Sequence, residues 1–122
     1  MTKEEFVEAL ITVAENGAVR GTFSMLEVPP GRERDARQVQ MSNWFHSLDQ
    51  EDVLRLKDIV QYACSLGIYI VLGMLDGQIA FEPAGPKGQL ELYYANRDER
   101  MQLNSFGNEF LTDIYKSRVM SD

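Results

Sequence analysis

The stretch Ile68-Tyr69-Ile70-Val71-Leu72-Gly73-Met74-Leu75-Asp76-Gly77-Gln78-Ile79-Ala80-Phe81 decides how the second half of this chain is built. Its first eight residues, Ile68 to Leu75, are rich in β-formers, and an Asp-Gly pair is a strong short-range hairpin signal. A two-residue loop at Asp76-Gly77 pairs Leu75 with Gln78, Met74 with Ile79 and Leu72 with Phe81. That register places Ile68, Ile70, Leu72, Met74, Ile79 and Phe81 on one face. The stretch therefore predicts two antiparallel strands.

Toward the C-terminus, a Pro-Gly loop from Pro83 to Gly88 precedes Gln89 to Ala95, where Leu90, Leu92 and Tyr94 alternate with polar residues. A four-residue turn, Asn96-Arg97-Asp98-Glu99, pairs Tyr94 with Met101 and Leu92 with Leu103. A closing helix is expected from about Asn108, with Phe110, Leu111 and Ile114 facing inward.

The first half reads as helical. Thr2 and Glu5 form a capping box, and Phe6, Leu10, Val13 and Ala14 follow at helical spacing until Asn16-Gly17. Residues 18 to 28 fit either a short helix or a loop. Pro29-Pro30-Gly31 is a break. A second helix is predicted from about Asp35 to Leu48, with a stripe of Met41, Trp44, Phe45 and Leu48. A third, capped by Ser47 or Asp49, carries Val53, Leu56, Val60 and Ala63 and ends at Gly67. The sum is a single α+β domain over residues 1–122, with three N-terminal helices, a four-stranded antiparallel sheet and a C-terminal helix.

Composition bounds the function. The 122 residues are 44% hydrophobic and 25% charged, with 19 acids against 12 bases and a net charge of -7. This is a globular composition, and its acidity argues against nucleic acid, which needs clustered Lys and Arg. One cysteine, Cys64, allows no internal disulfide and no cysteine-rich zinc site. The acidic start Met1-Thr2-Lys3-Glu4-Glu5 is unlike a signal peptide. The apolar run Ile68 to Leu75 is short of the ~20 residues that span a bilayer. The expected setting is the cytoplasm, with no membrane.

No catalytic constellation is visible, and neither cofactor nor metal is expected. His46 is the only histidine, so two-histidine zinc motifs are excluded. Cys64 is placed toward a helix C-terminus, the wrong end for a reactive thiolate. The clusters Glu4, Glu5, Glu8 and Asp49, Glu51, Asp52 open helices, where acids suit the dipole.

Two surfaces remain as binding candidates. The outer sheet face would present Tyr69, Glu82, Glu91 and Tyr93, tyrosine anchors ringed by acid that suit a basic protein partner. The same face is apolar along the first strand, so a homodimer sealed there is an alternative. In the second candidate, Arg32, Arg34 and Arg37 lie in an otherwise acidic chain and, with His46, would grip an anionic ligand. Residues 28–48 carry +1 and the remainder -8.

The blocks Pro29-Pro30-Gly31-Arg32, Met41-Ser42-Asn43-Trp44-Phe45, Leu75-Asp76-Gly77, Gly88 to Tyr94, Leu103-Asn104 and Glu109 to Tyr115 carry a resemblance. On them the chain resembles a family of small bacterial proteins of uncharacterised function, which implies no activity. In size, charge and compartment it is also similar to the acidic immunity proteins that bacteria pair with toxins. The functional expectation is a non-catalytic acidic binding module that masks a basic partner.

Overall fold

The computed structural model describes residues 1–83, 88–105 and 109–119. The elements are α1 (Lys3–Ala9), a π-helical stretch (Leu10–Glu15), α2 (Asn16–Glu27), α3 (Ala36–His46), α4 (Gln50–Leu75), β1 (Tyr93–Ala95), β2 (Arg100–Gln102) and α5 (Leu111–Val119). Among the described residues the only sheet is the two-stranded pair β1–β2, so the expected four-stranded α+β fold is replaced by a mostly helical one. The chain divides into two compact units, one made of Met1–Ile11 with Leu66–Asp122, the other of Thr12–Ser65.

The correction turns on Ile68 to Phe81. A short apolar run cannot be assigned to strand or helix by periodicity alone. Here Ile68, Leu72 and Leu75 also lie at i, i+4 and i+7, a helical stripe, and they join the core of the first unit. Extending a helix already nucleated at Gln50 costs far less than starting a new element. Gly67 therefore lies within α4 rather than ending it.

Asp76-Gly77 is a helix stop, not a hairpin turn. A two-residue type I′ turn needs positive φ at both positions, yet among the described residues only Gly31 and Gly77 have it, the latter at 76°. The Gly77 N–H donates to the Met74 carbonyl at 3.1 Å and the Gln78 N–H to the Gly73 carbonyl at 2.9 Å. This is the Schellman arrangement, in which one left-handed residue satisfies the last carbonyls of a helix. The returning chain lays Ile79 on Gly73, where a built Cβ would stand 2.5 Å from Ile79 Cδ1.

The first unit is organised around two buried polar side chains. Asp76, 5% exposed, accepts from the Leu111 and Thr112 N–H groups and from the Thr112 hydroxyl, each at 2.9 Å. A carboxylate from the end of α4 thus caps the start of α5, satisfying donors that a helix leaves orphaned. Asn104 donates to the carbonyls of Leu75 (2.6 Å) and Leu90 (2.7 Å) and accepts from the Leu92 N–H (2.8 Å). Around these groups Val7, Leu72, Leu111, Ile114 and Tyr115 form the fully buried core. The N-terminus is fixed by the Thr2–Glu5 capping box that the sequence predicts, and its partner bond holds the exposed Glu5 carboxyl below its usual range. Arg118 pairs with Glu8 at 2.8 Å.

The β1–β2 hairpin keeps the expected register, with Tyr94 opposite Met101 and the Leu103 N–H donating to the Leu92 carbonyl at 2.8 Å. Asn96 closes the turn by accepting from the N–H groups of Asp98 and Glu99, both at 2.9 Å. Much of the expected Pro83–Gly88 loop, and the expected helix start at Asn108, lie outside the described residues.

In the second unit, helix continues through Asn16-Gly17 into α2. Packing offsets the roughly 1 kcal/mol that each helical glycine costs: Phe23 meets Phe45 edge-on at 6.0 Å, and Leu26 is 5% exposed. The Ser42 hydroxyl donates to the Leu26 carbonyl at 2.7 Å, pinning α3 to the end of α2. Asp35, the expected start of the second predicted helix, is the N-cap of α3 and accepts from the Arg37 N–H at 2.8 Å. Asp49 rather than Ser47 caps α4, accepting from the Asp52 N–H at 2.8 Å. The Met41-Trp44-Phe45-Leu48 stripe is only partly buried, because Trp44 is 53% exposed.

Two stability comparisons follow from these contacts. Asp76→Ala should cost about 2–3 kcal/mol, the loss of three hydrogen bonds to a buried carboxylate. Asp35→Ala, at an exposed cap, should cost about 1 kcal/mol; urea midpoints at constant slope measure both, and equal losses would contradict the bridging role of Asp76. Gly67→Ala should gain about 0.5–1 kcal/mol, because Gly67 is mid-helix with nothing within 4 Å of its added carbon. Gly73→Ala should lose stability through the Ile79 clash, and a loss at Gly67 would restore the helix end there.

Candidate functional site

The four residues expected on an outer sheet face are separated by the loss of that sheet. Tyr69 lies on α4, half-buried against the core of the first unit, with Lys116 Nζ 5.2 Å from its ring centroid. Hydrogen bonding to Tyr69 chiefly raises the Lys116 ammonium above its ordinary value. Glu82 follows the Schellman turn, its carboxylate accepting from the Gly88 N–H at 3.0 Å. Only Glu91 and Tyr93 come together: the Tyr93 hydroxyl donates to Glu91 at 3.2 Å, and the Arg100 guanidinium stacks 4.5 Å from the Tyr93 ring centroid. The contact patch as a four-residue sheet surface does not exist.

The anion-binding candidates do not converge either. Arg32 and Arg34 are exposed in the loop between α2 and α3, Arg37 opens α3, and His46 closes it. Arg37 and His46 are nine positions apart on the helix, about 13 Å along its axis. No described cavity is lined by these four residues.

His46 does stand near a serine and a glutamate, which invites comparison with a nucleophilic triad. Its Nδ1 lies 2.8 Å from the Ser42 carbonyl. A carbonyl only accepts, so Nδ1 carries the proton and cannot take one from the Ser42 hydroxyl 3.5 Å away. That hydroxyl is buried and already donates to Leu26. His46 Nε2 sits 4.0 Å from the exposed Glu27 carboxylate. The trio ties the end of α3 to the end of α2 and leaves no activated nucleophile.

The acidic clusters are likewise absorbed into helix starts, and no group of three or more metal-ligating His, Cys, Asp or Glu side chains occurs among the described residues. Cys64 is half-buried on α4. A cleft of about 410 Å³ in the first unit is lined by Gly77 to Glu82 and Gly88 to Leu90. Among the described residues its one ionisable lining group is the Glu82 carboxylate, which is hydrogen-bonded to the Gly88 N–H.

The feature that sequence reasoning missed is the free surface of α4. From Ile59 to Leu75 the helix carries no charge over 17 residues, bounded by Asp58 and Asp76. Only 11% of its most apolar 18-residue window is buried. Ile59 is 64% exposed and Tyr62 69% in the second unit; Leu66 is 43% and Val71 53% in the first. In the second unit, Trp44 of α3, Leu48 of the following turn and Leu56 and Ile59 of α4 line a shallow groove of about 200 Å³ together with Asp52 and Arg55. Among the described residues α4 is the one helix long and apolar enough to cross a membrane. The signal was present as the charge-free interval itself, but splitting it at Gly67 concealed its length.

Comparison with protein-family models, curated proteins and solved structures finds no match, so the resemblance on the Pro29 to Tyr115 blocks brings neither a fold nor an activity to these residues.

Proposed function

We propose that this chain is a non-catalytic protein-binding module, and that its working surface is the exposed uncharged face of α4 rather than a tyrosine and glutamate patch on a sheet. The observation that carries this reading is the exposure of Leu66, Ile70 and Val71 on the part of α4 that belongs to the first unit. Exposed apolar area of this kind marks an interaction surface. The surrounding net charge of -7 keeps the free chain soluble and favours encounter with partners that are less acidic.

A polypeptide suits this face better than a bilayer. The same helix buries Leu72 completely in the first unit, and its Tyr69 ring lies under the Lys116 ammonium. Placing this end of α4 in hydrocarbon would carry that cation and the Asp76 carboxylate with it, at a cost of several kcal/mol. A polypeptide needs only to cover the exposed half.

The test compares the tagged chain with a variant carrying Ile70→Glu and Val71→Glu. Both positions are substantially exposed, at 41% and 53%, so helical circular dichroism should be unchanged. The expected result is a polypeptide retained stoichiometrically by the parent at high salt and at least tenfold less by the variant. The parent should also fail to float with phospholipid vesicles. Equal retention by both chains, or vesicle binding, overturns the reading.

A further inference from the structure

We infer that the groove of the second unit is a self-complementary interface, and that its occupant is a second copy of this chain. The inference goes beyond the reading above and concerns a different surface, on the second unit. The groove is lined on one side by Trp44 of α3 and Leu48 of the turn that follows it, and on the other by Leu56 and Ile59 of α4, with one acid and one base, Asp52 and Arg55, also in its lining. Among the described residues neither of these charges closes an ion pair within the chain, although they stand three positions apart on α4.

A two-fold axis through such a groove brings each Asp52 to the Arg55 of the other copy, while the apolar walls cover one another. Self-complementarity is what an isologous dimer requires. Trp44 and Tyr62, both more than half exposed, still offer on the order of 250 Å² between them, from the 150–250 Å² that an aromatic side chain buries. A standard interface needs about 800 Å² per partner. With Met41, Ile59 and the partly exposed Leu48 and Leu56 added, the patch stays below that size, in the range of weak, transient interfaces. A dimer dissociating in the micromolar range is the expected outcome.

The experiment is light scattering of the full chain from micromolar to several hundred micromolar, for the parent, Trp44→Glu, D52R, R55D and the double variant D52R/R55D. The parent should approach twice 13.9 kDa as concentration rises. Trp44→Glu and each single charge variant should weaken association at least tenfold. The double variant should recover it, and mixing the D52R and R55D chains should give a heterodimer. Circular dichroism separates lost association from lost folding. A parent that stays monomeric throughout, or a dimer indifferent to all four changes, overturns the second-copy inference. The α4 binding reading falls separately, by the Ile70→Glu/Val71→Glu comparison, whose two positions lie outside the groove.

Discussion

The carboxylate of Asp76 joins two helix ends that are far apart in sequence and must be close in space. It sits where α4 stops and accepts from the first donors of α5, 35 and 36 positions later. Helix starts present partial positive charge as well as orphan N–H groups, so an anion already buried there is held by several donors at once. Once that bridge forms, Thr112 is fixed through its hydroxyl as well, and Leu111, Ile114 and Tyr115 are brought onto Leu72 and Val7. Asn104 repeats the device on the other side, tying the Leu75 carbonyl to the segment that enters the hairpin. Buried polar groups are costly unless satisfied. Among the described residues none is left without a partner.

This arrangement accounts for the two-faced character of α4. Near its C-terminal end, one side of the helix is consumed by the core, and on the other Ile70 and Val71 are exposed among the described residues. The absence of charge from Ile59 to Leu75 exceeds what the buried side alone requires, since solvent-facing helix positions ordinarily carry charged or polar residues. A surface selected only for solubility would place lysine or glutamate at Tyr62, Leu66 and Val71. Apolar exposure without convergent polar chemistry fits recognition by contact area, and the His46, Ser42 and Glu27 geometry fits a structural tie.

What could be read from sequence was local. The Thr2–Glu5 box and the Tyr94–Met101 register each depend on residues within a few positions of one another, and both are present. The helix of Ile68 to Leu75 was not legible, because a run of apolar residues satisfies the strand and helix periods alike. Asp-Gly serves a hairpin or a helix stop equally well, and only the distant donors of Leu111 and Thr112 distinguish them. The site shows the same division. Glu91 and Tyr93 meet because they are two apart on an extended segment, whereas joining Tyr69 and Glu82 to them depended on pairings that the helix forbids. Trp44 read as core because of its spacing, which says nothing about whether a neighbouring element is there to cover it.

The core of the first unit is assembled from the two extremes of the chain, Val7 on one side and Leu111, Ile114 and Tyr115 on the other, while the second unit is one unbroken stretch. Protein synthesis proceeds from one end, and long loops must close before such contacts are rewarded. A ribosome that has released Thr12–Ser65 has delivered everything the second unit needs. The first must wait, with Val7 and Leu72 unpaired, until Leu111, Ile114 and Tyr115 have also been made. In that interval the nascent chain displays its most water-averse helix with no C-terminal cover, and it is then that a chaperone has most to shield.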